Sequence, residues 1–381
     1  MDAPKKIAFV VFGATGDLSQ RKIMPALCAL FRAHTVPPSS LVVAYSRRPW
    51  GDSEYRAFIE SSLENFSPKE RADFLESVQY VQGTFDAESF QTLQEKIKGY
   101  DALYHVAVQP EFYTRIIEEM GQKGFVGKVL LEKPFGHDGA SALALESEIE
   151  KYFPRENIFR VDHYLAKSGL AEVMNLKKEI TAVTCRIIET LDISGRGEFY
   201  DATGALRDVG QNHLLEMLAQ VLMDKDEAQV SLVSARARAL EQLAIIPGSG
   251  VRGQYEGYVQ EKGVEKDSQT ETYFKIQLVS TSAHWQDTAI TLEAGKALGE
   301  RKSEIEITFS DGSVQIFAMD ISGGREAYEV LLGAALRGER EHFVSMPEVV
   351  ASWRCAEGIE KELRTHPLQL YKKGAKGLTL V

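Results

Sequence analysis

The chain has 381 residues, 44% of them hydrophobic, with 44 Lys and Arg against 55 Asp and Glu and a formal net charge of -11. A chain of this length is expected to build two domains with real cores. The acidic balance disfavours a nucleic-acid backbone or an anionic membrane surface as partner, although one local basic cleft remains compatible with it.

Three well-separated cysteines, Cys28, Cys185 and Cys355, form no CxxC and no Cys/His cluster of zinc spacing. No metal site is expected, and a reduced, cytoplasmic protein fits best. The stretch Met1–Lys6 lacks the apolar run of a signal peptide, and Ile7–Phe12 is too short to span a bilayer.

In chain order, Ile7–Phe12 reads as a strand buried on both faces, ending at Gly13. A helix over Lys22–Ala33 and a strand over Leu41–Tyr45 follow. Further strands are expected at Val78–Val81, Ala102–Val108, Val126–Leu131 and Ile158–Val161, with helices Phe112–Met120 and Ser141–Tyr152 among them. This alternation predicts a parallel doubly wound α/β Rossmann domain over residues 1–165.

From 166 to 381 the texture changes. A helix over Leu170–Ile180, a strand over Ala182–Glu189 and a long helix over Ala205–Met223 are expected. Strands are expected at Val230–Ala235, Thr272–Ser280, Ala289–Glu293 and Glu304–Phe309, then helices Ala327–Arg337 and Met346–Leu363. That is an α+β domain with a large, mostly antiparallel sheet.

Gly13-Ala14-Thr15-Gly16-Asp17-Leu18 joins the first strand to the first helix. Glycines there let the backbone approach a pyrophosphate, and the N–H groups of a helix start bind its charge. An acidic residue at the end of the second strand usually takes the ribose hydroxyl of NAD. Here Ser46-Arg47-Arg48 stands instead, and guanidiniums suit the 2′-phosphate of NADP. Lys22 is a further candidate for a phosphate, or a solvated helix lysine.

Two stretches carry the candidate chemistry. In Asp162-His163-Tyr164-Leu165-Ala166-Lys167, His163 and Lys167 are four apart, which on a starting helix places them on one face beside Tyr164. That arrangement suits a clamp for a phosphate dianion, and equally a helix start with an acidic cap. In Arg207-Asp208-Val209-Gly210-Gln211-Asn212-His213 the run is too polar for a simple core turn. An imidazole titrates near working pH, which makes His213 a candidate general base, and Asp162 a candidate to fix its tautomer. Glu132-Lys133-Pro134-Phe135-Gly136 places Lys133 at the carboxyl end of a buried strand, with Pro134 as a hinge. Gly295–Lys302 reads as a basic turn between strands, either a solvated hairpin or a source of cations for an anionic substrate.

In this order these stretches, with Val251-Arg252-Gly253-Gln254-Tyr255 and Thr270-Glu271-Thr272, resemble the glucose-6-phosphate dehydrogenase family across nearly the whole chain. The resemblance implies oxidation of glucose 6-phosphate at C1 to 6-phosphoglucono-1,5-lactone, the first step of the oxidative pentose phosphate pathway. NADP is the implied acceptor, with NAD possible. It makes His213 the general base and Asp162 the carboxylate that orients it. His163, Tyr164 and Lys167 fall at the phosphate-binding group. Lys133, Glu189, Asp208 and Lys296 fall at residues that hold the sugar hydroxyls, and Arg301 at another substrate-side cation. Gly13, Ala14, Thr15, Gly16, Asp17, Leu18, Lys22, Arg47, Tyr113 and Lys133 fall at cofactor positions. It also implies a homodimer formed through the large sheet.

There are departures. Ala166 replaces the usual Gly, Gln109 replaces one of two prolines near the nicotinamide, and Glu293 stands where many members have Arg, which speaks against a second, structural NADP site. The stretch between Phe317 and Ala327 is compressed, shortening the sheet that would form the dimer. Two other readings suit the same chain. One is a sugar oxidoreductase of the glucose–fructose oxidoreductase type. The other is a non-catalytic sensor of NADP or a sugar phosphate.

Overall fold

The computed structural model describes residues 6–319 and 326–378. The Met1–Lys5 start and the middle of the compressed stretch, 320–325, lie outside the described residues. Two compact units result. The described residues of Met1–Ala166 and Arg325–Val344 form one, and those of Lys167–Gly324 and Ser345–Val381 the other.

In the first unit, β1 (Ile7–Phe12), β2 (Leu41–Ser46), β3 (Val78–Gln82), β4 (Asp101–Val106), β5 (Lys128–Glu132) and β6 (Ile158–Val161) form a parallel sheet in the order β3-β2-β1-β4-β5-β6. β2 is buried along its full length, because helices cover both faces of the sheet. The order reverses between β1 and β4. At such a switch point the loops diverge and leave a crevice at the carboxyl ends of the strands.

Residues 326–344 return to this unit from far along the chain. Helix Ala327–Arg337 packs Tyr328, Leu331, Leu332, Ala334 and Ala335 into its apolar core. Phe343–Val344 then pairs antiparallel with β6, Phe343 opposite Val161 and Val344 opposite Arg160. Arg340 secures the same edge through the carbonyls of Glu156 and Ile158.

In the second unit the large sheet contains β7 (Ile180–Ile188), β8 (Leu243–Ile245), β9 (Val251–Tyr255), β10 (Tyr273–Ser280), β11 (Ala289–Gly295), β12 (Lys302–Phe309), β13 (Val314–Ala318) and Leu368–Tyr371. Its order is β13-β12-β7-β11-β10-β9, then Leu368–Tyr371, with β8 also pairing β10. Every pairing is antiparallel except β7 with β11 and β9 with Leu368–Tyr371. Alternation is clean on β12, where Ile305, Ile307 and Phe309 are buried between half-exposed polar neighbours.

Three expectations are corrected here. Val230–Ala235 is not a strand but lies in helix Lys225–Glu241, whose Asp224 cap accepts N–H bonds from Asp226 and Glu227. The helix expected to reach Ile180 spans only Ser168–Val173, and Ile180 opens β7. Gly295–Lys302 is not a hairpin: β11 and β12 lie on opposite sides of β7, so this turn crosses the end of that strand.

Candidate active site

The cofactor end of the first unit is built at the carboxyl ends of β1 and β2. Gly13 has φ +77, and a Cβ there would stand 2.2 Å from the Ala107 carbonyl oxygen. Only glycine admits this approach. The N–H groups of Gly13 and Ala14 donate to the Tyr45 carbonyl, tying the turn to β2. Ser19 Oγ donates to the Gly13 carbonyl, and Thr15 Oγ1 meets Ser46 Oγ at 2.7 Å.

A π-helical turn, Ser19–Ile23, precedes helix Met24–Arg32, so the helix begins earlier than the apolar pattern implied. Asp17 pairs with Arg21, and Lys22 pairs with Glu326 at 3.1 Å. Leu18 packs against the core. Arg47 and Arg48 are exposed just past β2, Arg47 over the Phe112 ring and Arg48 over Trp50. A glycine turn at a strand-order switch beside two exposed guanidiniums is a donor set that fits a dinucleotide phosphate.

At the end of β5, Glu132 is buried, with one carboxylate oxygen 2.7 Å from His105 Nε2 and the other accepting from the Tyr328 hydroxyl at 3.2 Å. Tyr113, fully buried, donates its hydroxyl to the Glu132 carbonyl at 2.6 Å. That bond fixes the main chain beside Lys133. The Lys133–Pro134 bond is cis.

Asp162 follows β6 and is 2% exposed. Its Oδ1 accepts from the Tyr164 N–H at 2.9 Å, which ties the carboxylate to the turn that follows. His163–Ala166 is a 3-10 turn, and Lys167 is extended, with φ -82 and ψ 137, before helix Ser168–Val173. The expectation of one helical face for His163 and Lys167 is therefore corrected: no single helix spans them. The His163 ring lies 4.9 Å from that of Tyr164 and 6.3 Å from that of Tyr328, nearly parallel to the latter.

In the second unit, Gly197–Ala205 leads through Gly204, with φ +66, into a π-helical run Leu206–Leu214 and then Leu215–Leu222. Widening to i→i+5 bonding brings residues about five apart near one face, and such segments recur at functional sites. Asp208 and His213 are so related, and His213 is 4% exposed. Glu271 braces the head of this run: its carbonyl accepts from Ala205 N–H and its Oε1 from Leu206 N–H, each at 3.0 Å. Gln211 donates to Ser352, and Arg207 pairs with Glu360.

Lys296 follows β11 and is 7% exposed. Its ammonium is ion-paired to Glu189, just past β7, and to Asp208 at 3.2 Å, and it lies over the Tyr200 ring. Burial pulls the Lys296 pKa down, but Asp208 and Glu189 together outweigh it and hold the group above its ordinary value. Thus the second unit brings Glu189, Asp208 and Lys296 together. Arg301 is exposed in the same crossing turn. Glu293, where the family resemblance led to an Arg, pairs with Arg186 and accepts from the Tyr273 hydroxyl.

His105 and Tyr328 carried no motif in the sequence. A histidine inside the apolar β4 run, and an acid closing the apolar β5, were the available signals, since buried polar groups need partners. Nothing local marked Tyr328, which reaches Glu132 only through the return of its helix. Among the described residues no group of three His, Cys, Asp or Glu is placed to hold a metal ion, and no helix is long and apolar enough to cross a membrane.

Two family models together match residues 10–326. Residues 10–172 match the model of the glucose-6-phosphate dehydrogenase NAD binding domain, and residues 167–326 that of the glucose-6-phosphate dehydrogenase C-terminal domain. Glucose-6-phosphate 1-dehydrogenase 2 of Mycobacterium tuberculosis (strain ATCC 25618 / H37Rv) is 31% identical over 352 residues, covering 79% of this chain and 68% of its own. Glucose-6-phosphate 1-dehydrogenase of Cyberlindnera jadinii is 26% identical over 458 residues, covering 98% and 92%. That alignment is longer than the chain, so this relative has segments the chain lacks. A solved glucose-6-phosphate dehydrogenase in complex with its substrate glucose-6-phosphate shares the fold, with a TM-score of 0.88 at 24% identity and coverage of 99% and 97%. The Mycobacterium avium glucose-6-phosphate 1-dehydrogenase structure has a TM-score of 0.81 at 27% identity, covering 98% and 96%.

Proposed function

Because this chain belongs to the glucose-6-phosphate dehydrogenase family, we propose that it oxidises D-glucose 6-phosphate at C1 to 6-phospho-D-glucono-1,5-lactone, with NADP as acceptor. The observation that carries the reading is the buried Lys296–Asp208 ion pair on the π-helical run that also holds His213. Packing a base, an acid and an ammonium into an interior is costly unless their polar atoms are used.

His213 takes the proton of the C1 hydroxyl on its imidazole, and Asp162 orients that ring and stabilises its charged form. His163, Tyr164 and Lys167 hold the phosphate, remote from C1, so that its binding energy serves positioning. Lys133, Glu189, Asp208 and Lys296 bind the ring hydroxyls, with Arg301 as an outer cation. The bound nicotinamide supplies the hydride acceptor for C1. The turn from Gly13 through Ala14, Thr15, Gly16 and Asp17 to Leu18 cradles the pyrophosphate, and Arg47 meets the 2′-phosphate, which favours NADP over NAD. Tyr113 and Lys22 act from behind this surface, through Glu132 and Glu326.

Three free, buried cysteines suit a reducing cytoplasm. Exposed Val314 and Ile316 on β13 are available to a second copy in a homodimer. Steady-state turnover of glucose 6-phosphate and of free glucose, each with NADP and NAD, tests the reading. Preference for the phosphorylated sugar with NADP is expected. Equal use of free glucose would transfer the chain to the glucose–fructose oxidoreductase type of reaction, and silence with every pair would leave a sensor.

A further inference from the structure

Tyr328 stands 196 positions after Glu132, beyond a long excursion of the chain through the second unit, yet it touches both Glu132 and His163. Its hydroxyl donates to Glu132 Oε2 at 3.2 Å, directly before Lys133. Its ring lies near two imidazoles: His105 at 6.1 Å and 25°, and His163 at 6.3 Å and 19°. It is 5% exposed. The segment that carries it is anchored at both ends of the Asp162 turn, by Phe343 opposite Val161 and by His342 Nδ1 at 3.1 Å from the Leu165 carbonyl.

From this geometry we infer that Tyr328 is a positioning residue that sets Lys133 through Glu132 and sets the His163 ring through stacking. The inference rests on the proposed function, in which Lys133 meets the sugar and His163 its phosphate. The two duties are separable. The hydroxyl acts on Glu132, whose other oxygen is held by His105. Losing the hydroxyl leaves a buried carboxylate oxygen short of a donor, and the strand end moves to find one. The ring acts on His163, where parallel aromatic faces restrict imidazole rotation.

The test compares Tyr328→Phe with Tyr328→Leu in the full chain. Kinetics, calorimetric binding of glucose 6-phosphate and thermal midpoint are measured together, with the imidazole proton resonances of His163 as a direct probe. Tyr328→Phe keeps the ring and is expected to lower kcat about tenfold with KM for glucose 6-phosphate within about twofold of wild type. Tyr328→Leu is expected to lower kcat similarly, to raise that KM by about a further threefold to tenfold, and to shift the His163 resonances. If the leucine variant does not fold, the kcat-against-KM split in the phenylalanine variant decides alone. Two results overturn the inference: wild-type kcat in Tyr328→Phe, or a Tyr328→Leu variant whose KM for glucose 6-phosphate and His163 resonances stay at their wild-type values. A wild-type protein that neither binds nor oxidises glucose 6-phosphate removes the proposed function and the inference together. An active wild type with indifferent variants removes the inference alone.

Discussion

Lys296 and Asp208 form a buried ion pair, with 3.2 Å between ammonium and carboxylate, although they stand 88 positions apart in the chain with four strands between them. Glu189 completes the cluster from the end of β7. Two acids around one ammonium leave a net negative cluster whose carboxylate oxygens can accept from hydroxyl donors, as the proposed sugar contact requires.

Removing the ammonium isolates two carboxylates. Lys296→Met is therefore expected to lower unfolding free energy by about 3 kcal/mol and to raise KM for glucose 6-phosphate more than tenfold. Denaturant titration and steady-state kinetics check the two parts. The folded pKa of Lys296 lies above its ordinary value, so its contribution to stability is complete below about pH 10.4 and is lost as pH rises through the folded value. The alkaline fall in stability should be shallower in Lys296→Met than in wild type.

Gly13 is a backbone requirement as much as a proposed cofactor position. At φ +77, with a Cβ 2.2 Å from the Ala107 carbonyl oxygen, Gly13→Ala must both strain the turn and push β1 from β4. A loss of about 2 kcal/mol or more is expected, with weakened binding of NADP and NAD alike. Thermal melts with and without cofactor measure it. Wild-type stability would show that the turn relaxes freely.

In the proposed function Arg47 acts on one phosphate. Arg47→Ala should raise KM for NADP about tenfold or more and leave KM for NAD within about twofold, since only NADP carries the 2′-phosphate. A parallel rise for both cofactors would place Arg47 on the shared pyrophosphate instead.

Much of this was legible from sequence where burial and period coincide. β1, β2, β6 and the helices Ala327–Arg337 and Met346–Leu363 stand out because their apolar residues sit where one buried face requires them. Val-Ser-Leu-Val-Ser-Ala at 230–235 misled for a physical reason. Its valines suit a strand, but an Asp224 cap starts a helix before it and the buried Arg236–Glu348 pair secures that helix after it. A trace of the strand preference survives at Ser231, extended at φ -156 and ψ 101 inside the helix. The spacing of His163 and Lys167 misled because Ala166 closes a 3-10 turn, not a first helical turn. The Lys296 cluster was legible only as motifs, because its assembly depends on β11 pairing with β7, a long-range register that no local pattern reports.

The central claim is that His213 and Asp162 act as one acid–base unit, and the most direct measurement is kcat for His213→Asn, Asp162→Asn and the double variant. His213→Asn should lose about a thousandfold in kcat with KM changed much less, and adding Asp162→Asn should cost little more, because the carboxylate has no imidazole left to orient. Near-wild-type turnover in His213→Asn, or a double variant whose loss is the product of the two single losses, would contradict the account.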